Sequence, residues 1–130
     1  MATIFSQIAQ GIIPAYKVAE NDEFLAFLDI HPLCEGHTLI IPKREVDYIF
    51  ALEDEELGRM IQFAKKVALG IEKIIPCKRI GLAVVGLEVP HAHIHLVPLH
   101  SGLDIDFSRP KLSLGPDRFL ALAGQIASAL

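Results

Sequence analysis

The strictest alternation of apolar and polar positions lies at His91-Ala92-His93-Ile94-His95-Leu96, followed by Val97-Pro98. A period of two predicts a half-buried strand. Ala92, Ile94 and Leu96 then face the core, and His91, His93 and His95 form a row on an open opposite face. A second pattern has period 3.6. Leu57, Met60, Ile61, Ala64, Val67, Ala68, Ile71 and Ile74 form one stripe and predict a long helix. Asp54, Glu55 and Glu56 suit the positive end of its dipole, Lys73 the negative end, and Pro76 stops it. Apolar runs at 16–19, 23–29, 37–42 and 79–85 predict four further strands, the first two joined through the turn residues Asn21-Asp22. Residues 2–10 predict a short helix, 99–114 a long loop. Pro116 opens a final helix with Phe119, Leu120, Leu122, Ala123, Ile126 and Ala127 on its apolar face. Strands and helices are segregated, which predicts an α+β fold: a five-stranded antiparallel sheet with the long helix packed on it.

Composition narrows the classes. The chain has 130 residues, enough for one core, so residues 1–130 are expected to form a single domain. A hydrophobic content of 52% is high for a small monomer and admits a buried homodimer interface. With 12 basic and 16 acidic residues and no basic stripe, duplex nucleic acid is not an expected partner. Cys34 and Cys77 are too far apart for a Cys-x-x-Cys ligand pair and read as free thiols. No basic region precedes an apolar run at the N-terminus, where Lys17 is the first basic residue. No apolar stretch reaches the ~20 residues that span a bilayer. The expectation is a cytoplasmic protein with no membrane partner.

The histidine row admits several chemistries. Neighbouring histidines on one strand face can share zinc. The outer pair, however, is separated by ~13 Å along a strand, no cysteine lies close, and no metal or other cofactor is expected. A neutral imidazole is also a good nucleophile toward phosphorus, and flanking imidazoles can orient it and hydrogen-bond the phosphoryl group. Ordinary surface histidines are the third possibility, and strict alternation of three argues against it.

The segment His91-Ala92-His93-Ile94-His95-Leu96-Val97 resembles the His-φ-His-φ-His-φ-φ signature of the histidine-triad (HIT) family. The blocks Phe24-Leu25-Ala26-Phe27-Leu28-Asp29-Ile30-His31-Pro32 and Gly36-His37-Thr38-Leu39-Ile40-Ile41-Pro42-Lys43 are similar to that family's two central blocks. So are 4–18 to its opening helix and first strand. The likeness covers about residues 3–110 and is strongest to the Hint-like and bacterial branch. It implies a HIT-like fold, a homodimer sharing a ten-stranded sheet, and a purine nucleotide or nucleotide conjugate as partner. It implies cleavage between the α-phosphate and its leaving group through a nucleotidyl-histidine intermediate, as in a phosphoramidase. The nucleophile's role falls on His93. His95 would bond the phosphate or leaving group, His91 would orient His93, and His37 is the further histidine beside them. Asp29 falls on the carboxylate that binds ribose hydroxyls, and Ile30 and Leu28 could wall a base pocket. Gly86-Leu87-Glu88-Val89-Pro90 stands where many relatives carry Gly-Gln-Ser or Gly-Gln-Thr phosphate donors. Thr3-Ile4-Phe5-Ser6 stands where some carry a zinc-binding Cys-x-x-Cys, so no structural zinc is expected. Glu88 is expected to face solvent, and His31 and His100 have no assigned role. A slow or non-catalytic nucleotide-binding dimer is the rival reading.

Overall fold

The structure is a computed structural model that describes residues 2–130; Met1, the first residue of the expected domain, lies outside the described residues. The strands are β1 (Lys17–Glu20), β2 (Phe24–Leu28), β3 (Thr38–Pro42), β4 (Arg79–Ala83) and β5 (Ile94–Leu99). They form the five-stranded antiparallel sheet that the patterning predicts, in the order β1-β2-β3-β5-β4. The β1–β2 hairpin turns at Asn21, whose Oδ1 accepts the Glu23 and Phe24 backbone N–H groups at 2.9 and 2.8 Å.

Helix α1 spans Ile4–Ala9, α2 Asp54–Ile74 and α3 Pro116–Ser128. The stripe on α2 delivers Met60, Ala64, Val67 and Ile71 onto Phe24, Ala26, Leu28, Ile40, Ile94 and Leu96 of the sheet. Phe63, outside the predicted stripe, joins them, and Ile61, inside it, is exposed. Phe119, Leu122, Ala123 and Ile126 of α3 complete this core, with the Tyr16 and Phe119 rings stacked at 4.9 Å. Leu120 and Ala127, expected on the same apolar face, are exposed. Burying each of the larger side chains in this core stabilises the fold by about 1.5–3 kcal/mol.

The other sheet face is not open as expected. Phe5 and Ile8 of α1 pack on Leu25, Phe27, Leu39 and Ile41 to form a second core. The short N-terminal helix therefore covers the face that carries the histidines. His91 is 0%, His93 7% and His95 9% exposed.

The fifth strand starts three residues later than the alternation predicts. β3 and β5 pair only from Thr38↔Leu96 to Ile40↔Ile94. Beyond that point Pro42 brings no N–H to a ladder. The Ala92 N–H instead donates to the Val46 carbonyl, and the His91 ring takes the carbonyl of Pro42. The segment 99–114 is also more ordered than a plain loop. It holds a 3₁₀ turn, Gly102–Ile105, closed by a Ser101–Asp104 capping box. A second 3₁₀ turn, Ile49–Ala51, was not foreseen.

Gly36 leads into β3 with φ +94°, and a Cβ there would lie 2.9 Å from Ile75 Cγ1 and 3.2 Å from Pro98 Cγ. Gly36→Ala is expected to destabilise by about 1–3 kcal/mol. Gly58→Ala, on an exposed turn of α2 with nothing within 4 Å of the added carbon, is expected to stabilise by up to about 1 kcal/mol. Urea unfolding of the two variants checks both signs.

Candidate active site

The segment from His91 to His95 leaves the turn at Gly86–Pro90 and enters β5 beside β3. Ala92, Ile94 and Leu96 point into the α2-side core, as the alternation predicts. The three imidazoles lie on the α1 side. The His93 and His95 rings meet edge-on with centroids 4.9 Å apart, and Phe5 packs edge-on against His93, also at 4.9 Å.

Hydrogen-bond partners settle where each imidazole proton sits. His93 Nδ1 is 2.7 Å from the His91 carbonyl oxygen. A carbonyl only accepts, so Nδ1 carries the proton and the lone pair of a neutral ring is on Nε2. Among the described residues, Nε2 has no protein partner, and no fully enclosed side-chain nitrogen or oxygen lacks one. Nε2 therefore reaches solvent even though its ring is mostly covered.

A second chain of bonds starts at the backbone. The Leu33 N–H donates to His37 Nδ1 at 3.0 Å, so the His37 proton is on Nε2. That proton is donated to His95 Nδ1 at 2.9 Å. His95 in turn carries its own proton on Nε2, which has no protein acceptor among the described residues. Two adjacent rings thus present opposite faces of imidazole chemistry: a lone pair on His93 and an N–H donor on His95.

Burial keeps this second pair neutral. It pushes the His95 pKa down to about 4, aided by neighbouring His93, and the His37 pKa down to about 3, aided by His95 and Lys111. Burial also lowers His91, against the hydrogen bond its ring donates to the Pro42 carbonyl and the charge of Glu45. Asp29 lies 3.6 Å from His37 Nε2, and burial raises its pKa. With His37 neutral, this approach is not an ion pair. Asp29 Oδ1 accepts the His31 N–H at 2.9 Å.

Asp29, His37 and His95 hold ligand-type atoms within 4.8 Å of one another. Their protons oppose a shared cation. A metal on His37 Nε2 would move the proton of a neutral ring to Nδ1, against the Leu33 N–H already aimed there.

The candidate residues divide. His37, His91, His93, His95 and Asp29 converge. Leu28 does not join them: its side chain packs in the α2-side core, 2% exposed. Positions 27 and 29 share the opposite parity on β2, and Phe27 lies on the histidine side, edge-on to Phe5 at 5.7 Å. Ile30 is 54% exposed and free to face a ligand. Glu88 is exposed, as expected, and Leu87 is 88% exposed. No pattern along the chain marks Phe107 as part of this group. Its ring lies 4.6 Å from that of His95 and 6.2 Å from that of His37, where the 106–112 strap returns to the site. The strap is tied down by the Leu112 N–H on the Pro32 carbonyl.

A five-stranded antiparallel sheet with three alternating imidazoles leading into its fourth-placed strand defines the histidine-triad class. The family model described as HIT domain matches residues 10–102. Adenosine 5'-monophosphoramidase hnt1 of Schizosaccharomyces pombe is 34% identical, over 100% of this chain and 99% of the relative. A HIT-like protein of Borreliella burgdorferi is 35% identical, over 95% of each. The crystal structure of a HIT-like protein of Bartonella henselae, described as involved in cell-cycle regulation, superposes with a TM-score of 0.86. It is 27% identical, and the match covers 98% of this chain and 96% of that one. The chain belongs to the HIT family. No helix among the described residues is long and apolar enough to cross a membrane.

The lowered histidine pKa values carry a consequence for stability. Between about pH 6.5 and 4 the unfolded chain binds protons that folded His95 and His37 do not, so stability falls as pH drops through that window. From pH 7 to pH 5 each should remove on the order of 1–2 kcal/mol. Asp29, with a raised pKa, acts in the opposite direction. Urea titrations of wild type and His95→Gln at the two pH values check this: the variant should lose less stability on acidification.

Proposed function

We infer that this protein is a nucleotide hydrolase or transferase of the phosphoramidase type, working through a nucleotidyl-His93 intermediate. The observation that carries this reading is the pairing of an outward lone pair on His93 Nε2 with an outward N–H on His95 Nε2. His93 attacks the α-phosphorus, a nitrogen–phosphorus bond forms, and the bond to the leaving amine breaks. The electron pair goes to the amine, which takes a proton from solvent. His95 stays neutral and donates its hydrogen bond to the phosphoryl oxygen, where charge develops. Water then attacks phosphorus, the bond electrons return to Nε2, and a proton goes back to solvent as the nucleoside monophosphate leaves. His91 orients His93 through its carbonyl, and His37 sets the His95 proton. Asp29 is placed to accept ribose hydroxyls, with Ile30 and Phe27 near the base of a purine nucleotide or conjugate. The S. pombe relative's printed activity supports the same chemistry.

The turn at Gly86–Pro90 favours a second reading, a nucleotide-binding protein of slow turnover. It presents exposed Leu87 and Glu88 and no amide or hydroxyl side chain toward a phosphate. Loss of one preorganised donor lowers rates by ~10²-fold or more.

Release of ammonia from adenosine 5'-phosphoramidate separates the two readings. His93→Ala should reduce kcat by about 10³-fold or more, and acid-quenched wild type should retain label from the nucleotide on His93. Equal turnover by the variant would remove His93 from the mechanism.

The assembly proposed is a homodimer continuing the sheet across β4. That strand ends the sheet, and Leu82, Val84 and Val85 on and just beyond it are 49%, 39% and 50% exposed. An apolar open edge of this kind is a template for pairing. Light scattering should give twice the chain mass, and Val84→Lys should give a monomer.

A further inference from the structure

His91 is fully buried, yet its ring is the meeting point of three chain segments. Nε2 lies 2.8 Å from the Pro42 carbonyl, so it carries the proton and Nδ1 is an acceptor. Nδ1 faces Thr3 Oγ1 at 3.0 Å and Ser6 Oγ at 3.3 Å. The Ser6 hydroxyl donates to Glu45 Oε1, which also accepts the Thr3 N–H at 2.9 Å. A carboxylate only accepts, so Glu45 takes the Ser6 proton, and the Thr3 hydroxyl is the donor left for His91 Nδ1, at 3.0 Å against 3.2 Å to the Ser6 oxygen. Thr3 also caps α1, its Oγ1 accepting the Ser6 N–H at 3.0 Å.

The segment that this cluster holds has little else to hold it. Residues 91–93 precede β5 and have no ladder pairing. Their backbone is tied by the Ala92 N–H on Val46 and the His91 N–H on Val89. Glu45 and Val46 therefore grip the segment twice from one corner, through hydroxyls and through a carbonyl. The grip is passed on, because the His91 carbonyl accepts the His93 Nδ1 proton at 2.7 Å.

We propose that Glu45, acting through the Ser6 and Thr3 hydroxyls, is a positioning residue that fixes the His91 ring and thereby the direction of His93 Nε2. The kinetic part rests on the reading of His93 as nucleophile; the geometric part does not. None of the three touches the reacting atoms. Their effect is on aim, where a misplacement of about 1 Å costs up to ~10²-fold in rate.

The test uses the full chain, with Glu45→Ala, Glu45→Gln and the near-isosteric Thr3→Val. Long-range proton–nitrogen spectra report the tautomer and hydrogen bonding of each imidazole. Glu45→Ala and Thr3→Val should shift the His91 Nδ1 and His93 Nδ1 resonances. Each should lower kcat on adenosine 5'-phosphoramidate about tenfold, with KM within twofold of wild type. Glu45→Gln keeps an acceptor oxygen and should restore both spectrum and kcat. Folded variants with unchanged His91 and His93 resonances would overturn the proposal, whatever the rate. So would a kcat loss in Glu45→Ala that Glu45→Gln does not restore. If wild type released no ammonia, the functional reading would fail while the spectra still decided the positioning role.

Discussion

The bond from His93 Nδ1 to the His91 carbonyl is the constraint on which the site's arrangement depends. It spans two residues, and a ring can reach back to its own strand only if the backbone leaves the ladder. Had β5 begun at His91, that carbonyl would have been available to β3. The pairing instead stops at Ile40↔Ile94, and β3 ends in Pro42, whose carbonyl is taken by the His91 ring. One proline thus releases the segment and supplies the acceptor that orients its first imidazole. The irregularity lies next to the candidate nucleophile, a common place for departures from regular pairing.

The opposite proton arrangement on His95 has an equally local origin. It begins with the Leu33 N–H, fixed by the turn before β3, and passes through His37. The two relays run from opposite ends of β3, one through His37 before it and one through Pro42 at its close, and leave one ring accepting and its neighbour donating. Burial serves this division. With the pKa of His95 near 4 and that of His37 near 3, neither ring is charged at neutral pH. A protonated His37 would have a proton on Nδ1 facing the Leu33 N–H. The low pKa values and the backbone donor therefore enforce the same state.

Much of this was legible in the sequence because it depends on period. The α2 stripe, the order of strands and helices, and the inward turn of Ala92, Ile94 and Leu96 follow from spacing alone. Parity could have gone further. Residue 29 shares a face with 27, not with 28, so the side of β2 that carries Asp29 is the side of Phe27. The expectation that Leu28 could wall a base pocket runs against that rule, and its side chain packs in the opposite core. The Ser101-x-x-Asp104 spacing likewise encodes the capping box of the 3₁₀ turn. Coverage of the histidine face by α1 was not readable. Ile4, Phe5 and Ile8 give an apolar side to a six-residue helix, and nothing in that pattern says which sheet face it covers. The contacts of Phe107 and of Thr3, Ser6 and Glu45 join positions far apart in the chain, which no local period encodes.

The second core explains why a small protein tolerates buried histidines. An imidazole taken from water without partners loses several hydrogen bonds, and each unmatched group costs about 1–3 kcal/mol. Here both nitrogens of His37, both of His91 and Nδ1 of His95 are matched by a backbone N–H, a backbone carbonyl, the Thr3 hydroxyl and one another. The unmatched nitrogens are the outward Nε2 atoms of His93 and His95, where water or a phosphoryl group can reach. The packing of Phe5 and Phe107 against the rings then has a chemical effect besides burial. Phe5 lies edge-on to His93 and Phe107 tilts against His95, so each of these rings has an aromatic neighbour while its unpaired Nε2 stays open to solvent.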